Sequence, residues 1–221
     1  MHPEYIARCA QLALLLEVSA TPKPGNVDRN HDHGDTRYEH FLASAVGVYP
    51  VFKRASRRRK GVGKLIRNAV KESTSWQRGG NTHFGAFLLL IPLSMAAGMS
   101  GNHSEIRVNA MKIMEGTTVE DAIELYRAFS IAEVRVKPVK DLDVRDPSSL
   151  EEIEKRGLTL FEILKISSEY DIVSRELVSG FEKSFEYSSL IEKLVKKEGI
   201  NDAIVHAYMK ILSESPDTFV E

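Results

Sequence analysis

The segment Thr21-Pro22-Lys23-Pro24-Gly25-Asn26-Val27-Asp28-Arg29 carries the residue types that hold a phosphate. Pro22 and Pro24 fix the backbone and Gly25 permits a tight turn, so Lys23 and Arg29 are offered to an anion at small ordering cost. Asp28 can hold a cation or accept a proton. A plain proline turn with solvated charges accounts for the same residues equally well. His31-Asp32-His33-Gly34-Asp35 follows, with four ligand-type side chains within five residues. Adjacent loop ligands rarely all converge on one zinc ion, and carboxylates with phosphate oxygens suit Mg²⁺ better. The bland reading is a polar loop whose Asp35 caps the next helix.

Two further clusters stand out. Gly79-Gly80-Asn81-Thr82-His83 opens the most apolar stretch of the chain. A helix N-terminus favours anions by about 0.3–1 kcal/mol, and Asn81 or Thr82 can equally serve as the N-cap. In Lys140-Asp141-Leu142-Asp143-Val144-Arg145-Asp146, Asp141 and Asp143 are spaced so that both can face one cation. The competing reading there is an acidic turn before Ser148. The basic run from Lys53 to Lys60 lacks interleaved aromatics and reads as a solvated loop before it reads as an RNA site. Gly61-Val62-Gly63-Lys64 is not a phosphate loop, because Arg58 stands where Gly is required and Leu65 replaces Ser or Thr.

Helical periodicity must position these residues. Tyr5–Val18 carries a broad apolar face and stops at Pro22 and Pro24. Glu39–Arg54 predicts a second helix, kinked or broken near Pro50, and Lys64–Trp76 a third. Asn81–Met99 is apolar almost all round and predicts a buried central helix. Thr117-x-x-Glu120 and Ser148-x-x-Glu151 fit capping boxes, the first opening a helix over Val119–Ala132. From Leu158 onward helical stretches alternate with breaks at Gly180 and Gly199. Only Val134–Val139 looks extended. The expectation is an all-α fold of about eight to ten helices forming one domain over residues 1–221.

Composition narrows the classes. The 221 residues carry 30 basic and 31 acidic side chains, which argues against a general nucleic-acid coat or a membrane-surface protein. Residues 148–221 hold 9 basic and 15 acidic groups, leaving 21 and 16 in residues 1–147, so the first part is the home expected for an anionic ligand. One cysteine, Cys9, excludes a disulfide framework and a multi-cysteine zinc site. The longest apolar run, Phe84–Ala97, is 14 residues and contains Pro92, short of the roughly 20 needed for a membrane span. No basic start precedes an apolar run, so a cytoplasmic protein is expected.

The stretch Leu14-Leu15-Leu16-Glu17-Val18-Ser19-Ala20-Thr21-Pro22-Lys23-Pro24-Gly25-Asn26-Val27-Asp28-Arg29 resembles the signature of the triphosphoribosyl-dephospho-coenzyme-A synthase family. His33-Gly34-Asp35 matches the H-x-D of that signature. Asn81-Thr82-His83 with Gly85 is similar to a second family motif, NTHKG, in which Phe84 here stands in place of the lysine. The resemblance implies transfer of the triphosphoribosyl group of ATP to the ribose 2′-hydroxyl of dephospho-coenzyme A, with release of adenine. The product would be a prosthetic-group precursor. Displacement at an anomeric carbon passes through an oxocarbenium-like transition state. On this resemblance Lys23, Arg29, Asn81 and Thr82 bind substrate, and Asp28, Asp141 and Asp143 hold Mg²⁺. Asp35 or His33 activates the acceptor hydroxyl, and His83 protonates departing adenine, a merely structural histidine being an equal alternative there. A hydrolase of the same nucleoside bond and a helical RNA-binding module are the competing classes. A homodimer stays open as an alternative to a monomer.

Overall fold

The computed structural model describes residues 1–34, 36–132, 142–144 and 146–214. Among them lie eleven helices, and two isolated bridges, Asp28 with His31 and His33 with Thr36, pair extended backbone. The all-α expectation holds. Helix α1 (Pro3–Ser19) starts with proline at its first position, where a missing N–H costs nothing, and the His2 ring accepts from the Glu4 N–H at 3.3 Å. The helix expected over Glu39–Arg54 is two helices, α2 (Tyr38–Gly47) and α3 (Tyr49–Ala55). They part at Val48 because Pro50, which has no N–H to give, fits only in a first turn.

Helix α4 (Val62–Trp76), α5 (Phe84–Met99), α6 (Ser104–Glu115) and α7 (Val119–Ala132) follow. The central role expected for the apolar stretch belongs to α5, which packs on α1, α3, α4 and α6. Phe87, Ile91 and Met95 on it are 1% exposed or less; each such side chain stabilises the fold by roughly 1.5–3 kcal/mol. Phe84 is buried and its ring lies 4.6 Å from that of Phe129, so the position that carries lysine in the motif belongs here to the core. Glycine permits a close helix contact: a Cβ on Gly63 would lie 2.1 Å from the Asp121 carbonyl oxygen, and the Gly63 N–H donates to Asp121 Oδ1 at 3.0 Å. Gly61–Lys64 is therefore a helix-packing segment.

The two expected capping boxes are not formed as written. At α7 the register moves by one: the Thr118 N–H and hydroxyl both donate to Asp121 Oδ2 at 3.0 Å, because Asp121 is the carboxylate held against Gly63. Helix α8 (Ser148–Arg156) has no side-chain cap from its N-cap residue Pro147; Asp146 accepts the Ser148 N–H at 2.9 Å. A true box opens α9 (Leu160–Ser167), where Thr159 and Glu162 satisfy each other's N–H groups. After α10 (Ile172–Val178), α11 (Glu182–Glu214) breaks at Gly199, whose φ of 81° suits glycine. Its two arms fold back on each other, so that Lys183 and Tyr187 of the first reach Glu214 at the end of the second, at 3.0 and 2.6 Å. The extended segment expected at Val134–Val139 lies outside the described residues. Among the described residues no single helix is long and apolar enough to cross a membrane.

Candidate active site

The loop after α1 is organised around Asp28, whose side chain is wholly buried. Its carboxylate accepts the Lys23 N–H at 2.9 Å and the Asn30 N–H at 2.8 Å, and meets His31 Nδ1 at 2.9 Å. Burial pushes its pKa up, but these hydrogen bonds outweigh that and hold it at about 2. Asp28 is thus an ionised internal acceptor with both oxygens taken by protein donors. Bridges between Asp28 and His31 and between His33 and Thr36 close the rest of the loop. Arg29, His31 and His33 are exposed.

Lys23 is 3% exposed, and its ammonium pairs with Glu17 at the end of α1. The same ammonium lies 5.9 Å from the centroid of the Tyr208 ring. The second arm of α11 braces this loop. Tyr208 donates its hydroxyl to the Pro24 carbonyl at 2.6 Å, and Asn201 bonds the Thr21 peptide.

The second motif segment meets the first. Thr36 donates its hydroxyl to the Gly79 carbonyl at 2.9 Å. Gly79 sits so tightly on α2 that a Cβ would lie 1.9 Å from His40 Nδ1. Gln77 is buried and donates to the Gly80 carbonyl at 2.8 Å, which shapes the turn before α5. Asn81 is exposed and its Oδ1 accepts the Phe84 N–H at 3.1 Å, so it carries the capping role while its amide group stays accessible. Thr82 and Ser73 of α4 join hydroxyls at 3.2 Å.

His83 lies beneath them, 4% exposed, with its ring edge-on to Phe41 at 4.9 Å and beside Phe87 at 5.9 Å. Its Nδ1 meets Ser44 Oγ of α2 at 2.8 Å, and its buried Nε2 has no hydrogen-bond partner. Burial, reinforced by the Lys23 charge, holds its pKa down at about 3. At neutral pH the imidazole is uncharged. The proton-donor role expected for it needs an imidazolium that this environment disfavours, so the resting group is an acceptor or a neutral N–H.

Lys23, Asp28, Thr82 and His83 are thus gathered by α1, α2, α4 and α5. Asp35 and Asp141 lie outside the described residues. Asp143 sits in the turn before α8, where its carbonyl accepts from Ser149 Oγ at 2.8 Å. No group of three metal-ligating side chains occurs among the described residues. Sequence reasoning missed Glu17, Ser44, Ser73, Asn201 and Tyr208. Glu17 stood inside the quoted motif; the serines look like ordinary helix residues, and nothing local marks the other two. In the basic run, Lys53 pairs with Glu4 while Arg57, Arg58 and Arg59 are exposed.

The family model for ATP:dephospho-CoA triphosphoribosyl transferases (CitG) matches residues 3–221. Among solved structures, the chain is similar to a protein of Archaeoglobus fulgidus provisionally assigned as a triphosphoribosyl-dephospho-CoA synthase. The two share 30% identity with a TM-score of 0.66 over 80% of this chain and 72% of that one. No curated protein matches the chain. The fold and the paired motif loops are those of an all-helical transferase. The chain belongs to the ATP:dephospho-CoA triphosphoribosyl transferase family, a family of enzymes that use ATP and dephospho-CoA.

Proposed function

We propose that this chain moves the triphosphoribosyl group of ATP onto the ribose 2′-hydroxyl of dephospho-CoA and releases adenine. The observation that carries this reading is the junction of the two motif loops, at the Thr36–Gly79 bond and over the buried His83. Lys23 and Arg29 supply positive charge for the triphosphate. Asn81 and Thr82 present an amide and a hydroxyl at the N-terminus of α5, where anions are favoured. Asp35 or His33 takes the proton of the attacking hydroxyl as the glycosidic bond to adenine breaks.

Mg²⁺ fits as a partner of the ATP phosphates, where it would neutralise charge. The described residues hold no group of three ligating side chains that would form a cage for it. A cytoplasmic setting suits these soluble substrates.

Incubation with ATP, Mg²⁺ and dephospho-CoA tests the reading. Free adenine and an acceptor bearing the triphosphate are expected. ADP or AMP without adenine would overturn it, and adenine released equally without any acceptor would make the chain a hydrolase.

A further inference from the structure

Three hydroxyls link the buried His83 to the outer edge of the site. His83 Nδ1 meets Ser44 Oγ at 2.8 Å, Ser44 Oγ meets Ser73 Oγ at 2.7 Å, and Ser73 Oγ meets Thr82 Oγ1 at 3.2 Å. Ser44 and Ser73 are buried, while Thr82 is half-buried at the loop surface. Three links need three protons, and they can run in two directions. If they run inward, Ser44 donates to Nδ1 and the imidazole proton sits on Nε2, a buried N–H with no acceptor. If they run outward, Nδ1–H donates to Ser44, Ser44 to Ser73 and Ser73 to Thr82. Every buried donor is then satisfied, and the Thr82 hydroxyl can donate to water or ligand. Orphaned buried N–H groups are rarer than orphaned acceptors.

From this geometry we infer that Ser44, backed by Ser73 and Thr82, is a positioning residue that fixes His83 as the Nδ1–H tautomer. Nε2 is left as a bare acceptor for an O–H or N–H of a bound substrate. The second half rests on the proposed function. The chain inverts the preference of free imidazole in water, which carries its proton on Nε2. The depressed pKa of His83 agrees, since it keeps the ring neutral and therefore subject to tautomer choice. Phe41 and Phe87 pack on the ring without offering a competing donor or acceptor.

Nitrogen NMR on histidine-labelled protein tests this, with His83→Gln assigning the signal. Wild-type protein at neutral pH is expected to show the proton on Nδ1; a proton on Nε2 overturns the inference. Ser44→Ala is expected to move the proton to Nε2 and to lower kcat on the order of tenfold, with KM for ATP within about twofold. An unchanged tautomer in Ser44→Ala overturns its role. Ser73→Ala, which frees the Ser44 hydroxyl to turn towards Nδ1, is expected to give mixed tautomers, and it decides the matter if Ser44→Ala fails to fold. ATP and dephospho-CoA are then added separately. The one that brings the donor shifts the Nε2 signal, and a signal moved by neither overturns the acceptor role. These spectra are read without turnover. Absence of adenine release beside the expected tautomer therefore refutes the proposed function and leaves the assignment of Ser44 standing.

Discussion

Asn201 holds the peptide of Thr21 from both sides, accepting its N–H at 3.1 Å and donating to its carbonyl at 2.9 Å. The two residues are 180 positions apart in the chain. Asn201→Ala removes both bonds, and loss of about 1–2 kcal/mol is expected from chemical denaturation. Because Lys23 follows two residues later, KM for ATP should rise about three- to tenfold with kcat little changed. An unchanged KM would show that the loop keeps its shape without the brace.

Lys23 supplies charge to the proposed triphosphate site. With wild-type protein, ATP and Mg²⁺ should raise the melting temperature well above the effect of adenosine. Lys23→Met should abolish the difference while keeping the aliphatic packing of the side chain. Equal shifts by ATP and adenosine in the wild type would count against a phosphate role.

Acid should weaken the fold through His83. Its pKa is depressed from 6.5 to about 3 in the folded protein. Unfolded chains therefore bind the extra proton first. The contribution is complete above pH 6.5 and is lost as pH falls towards 3, with a slope approaching about 1.4 kcal/mol per pH unit. Urea denaturation from pH 7 to 4 reads that slope. His83→Gln should flatten it, and the same slope in both proteins would place the acid sensitivity elsewhere.

Two glycine substitutions should separate folding from function. Gly63→Ala drives a methyl into the Asp121 backbone of α7, 2.1 Å away, and loss of about 1–3 kcal/mol of global stability is expected. Gly79→Ala meets instead the side chain of half-buried His40, 1.9 Å away, which can turn aside where the Asp121 backbone cannot. There kcat/KM should fall by about tenfold or more with little change in melting temperature. Calorimetry and adenine release on the two variants distinguish them.

The parts of the site legible in the sequence are those written locally. Pro22 and Pro24 mark the end of α1, and the apolar run from Phe84 marks the central helix with a polar loop before it. What the sequence leaves open turns on burial. Asp28 beside Arg29 has the chemistry of a metal ligand, and only the enclosed turn shows that Lys23 and Asn30 consume its oxygens. The Thr117 box failed for a similar reason: Asp121, one residue beyond Glu120, is held by Gly63 of another helix. Ser44 and Ser73 carry no helix-surface pattern that sets them apart, because their partners are each other and the loop before α5. Asn201 and Tyr208 were invisible because no local spacing encodes a contact with a loop near the other end of the chain.

The fold-back of α11 at Gly199 also sets a timetable for synthesis. Helix α1 and the loop after it leave the ribosome early, yet the braces for Thr21 and Pro24 are Asn201 and Tyr208. At roughly 5–20 residues per second, the 180 residues separating Thr21 from Asn201 take on the order of 10–40 s to make. Through that interval the loop carrying Lys23 has no brace from α11. A stretch made late completes one made early, so a nascent chain stalled before Gly199 would lack a finished nucleotide loop.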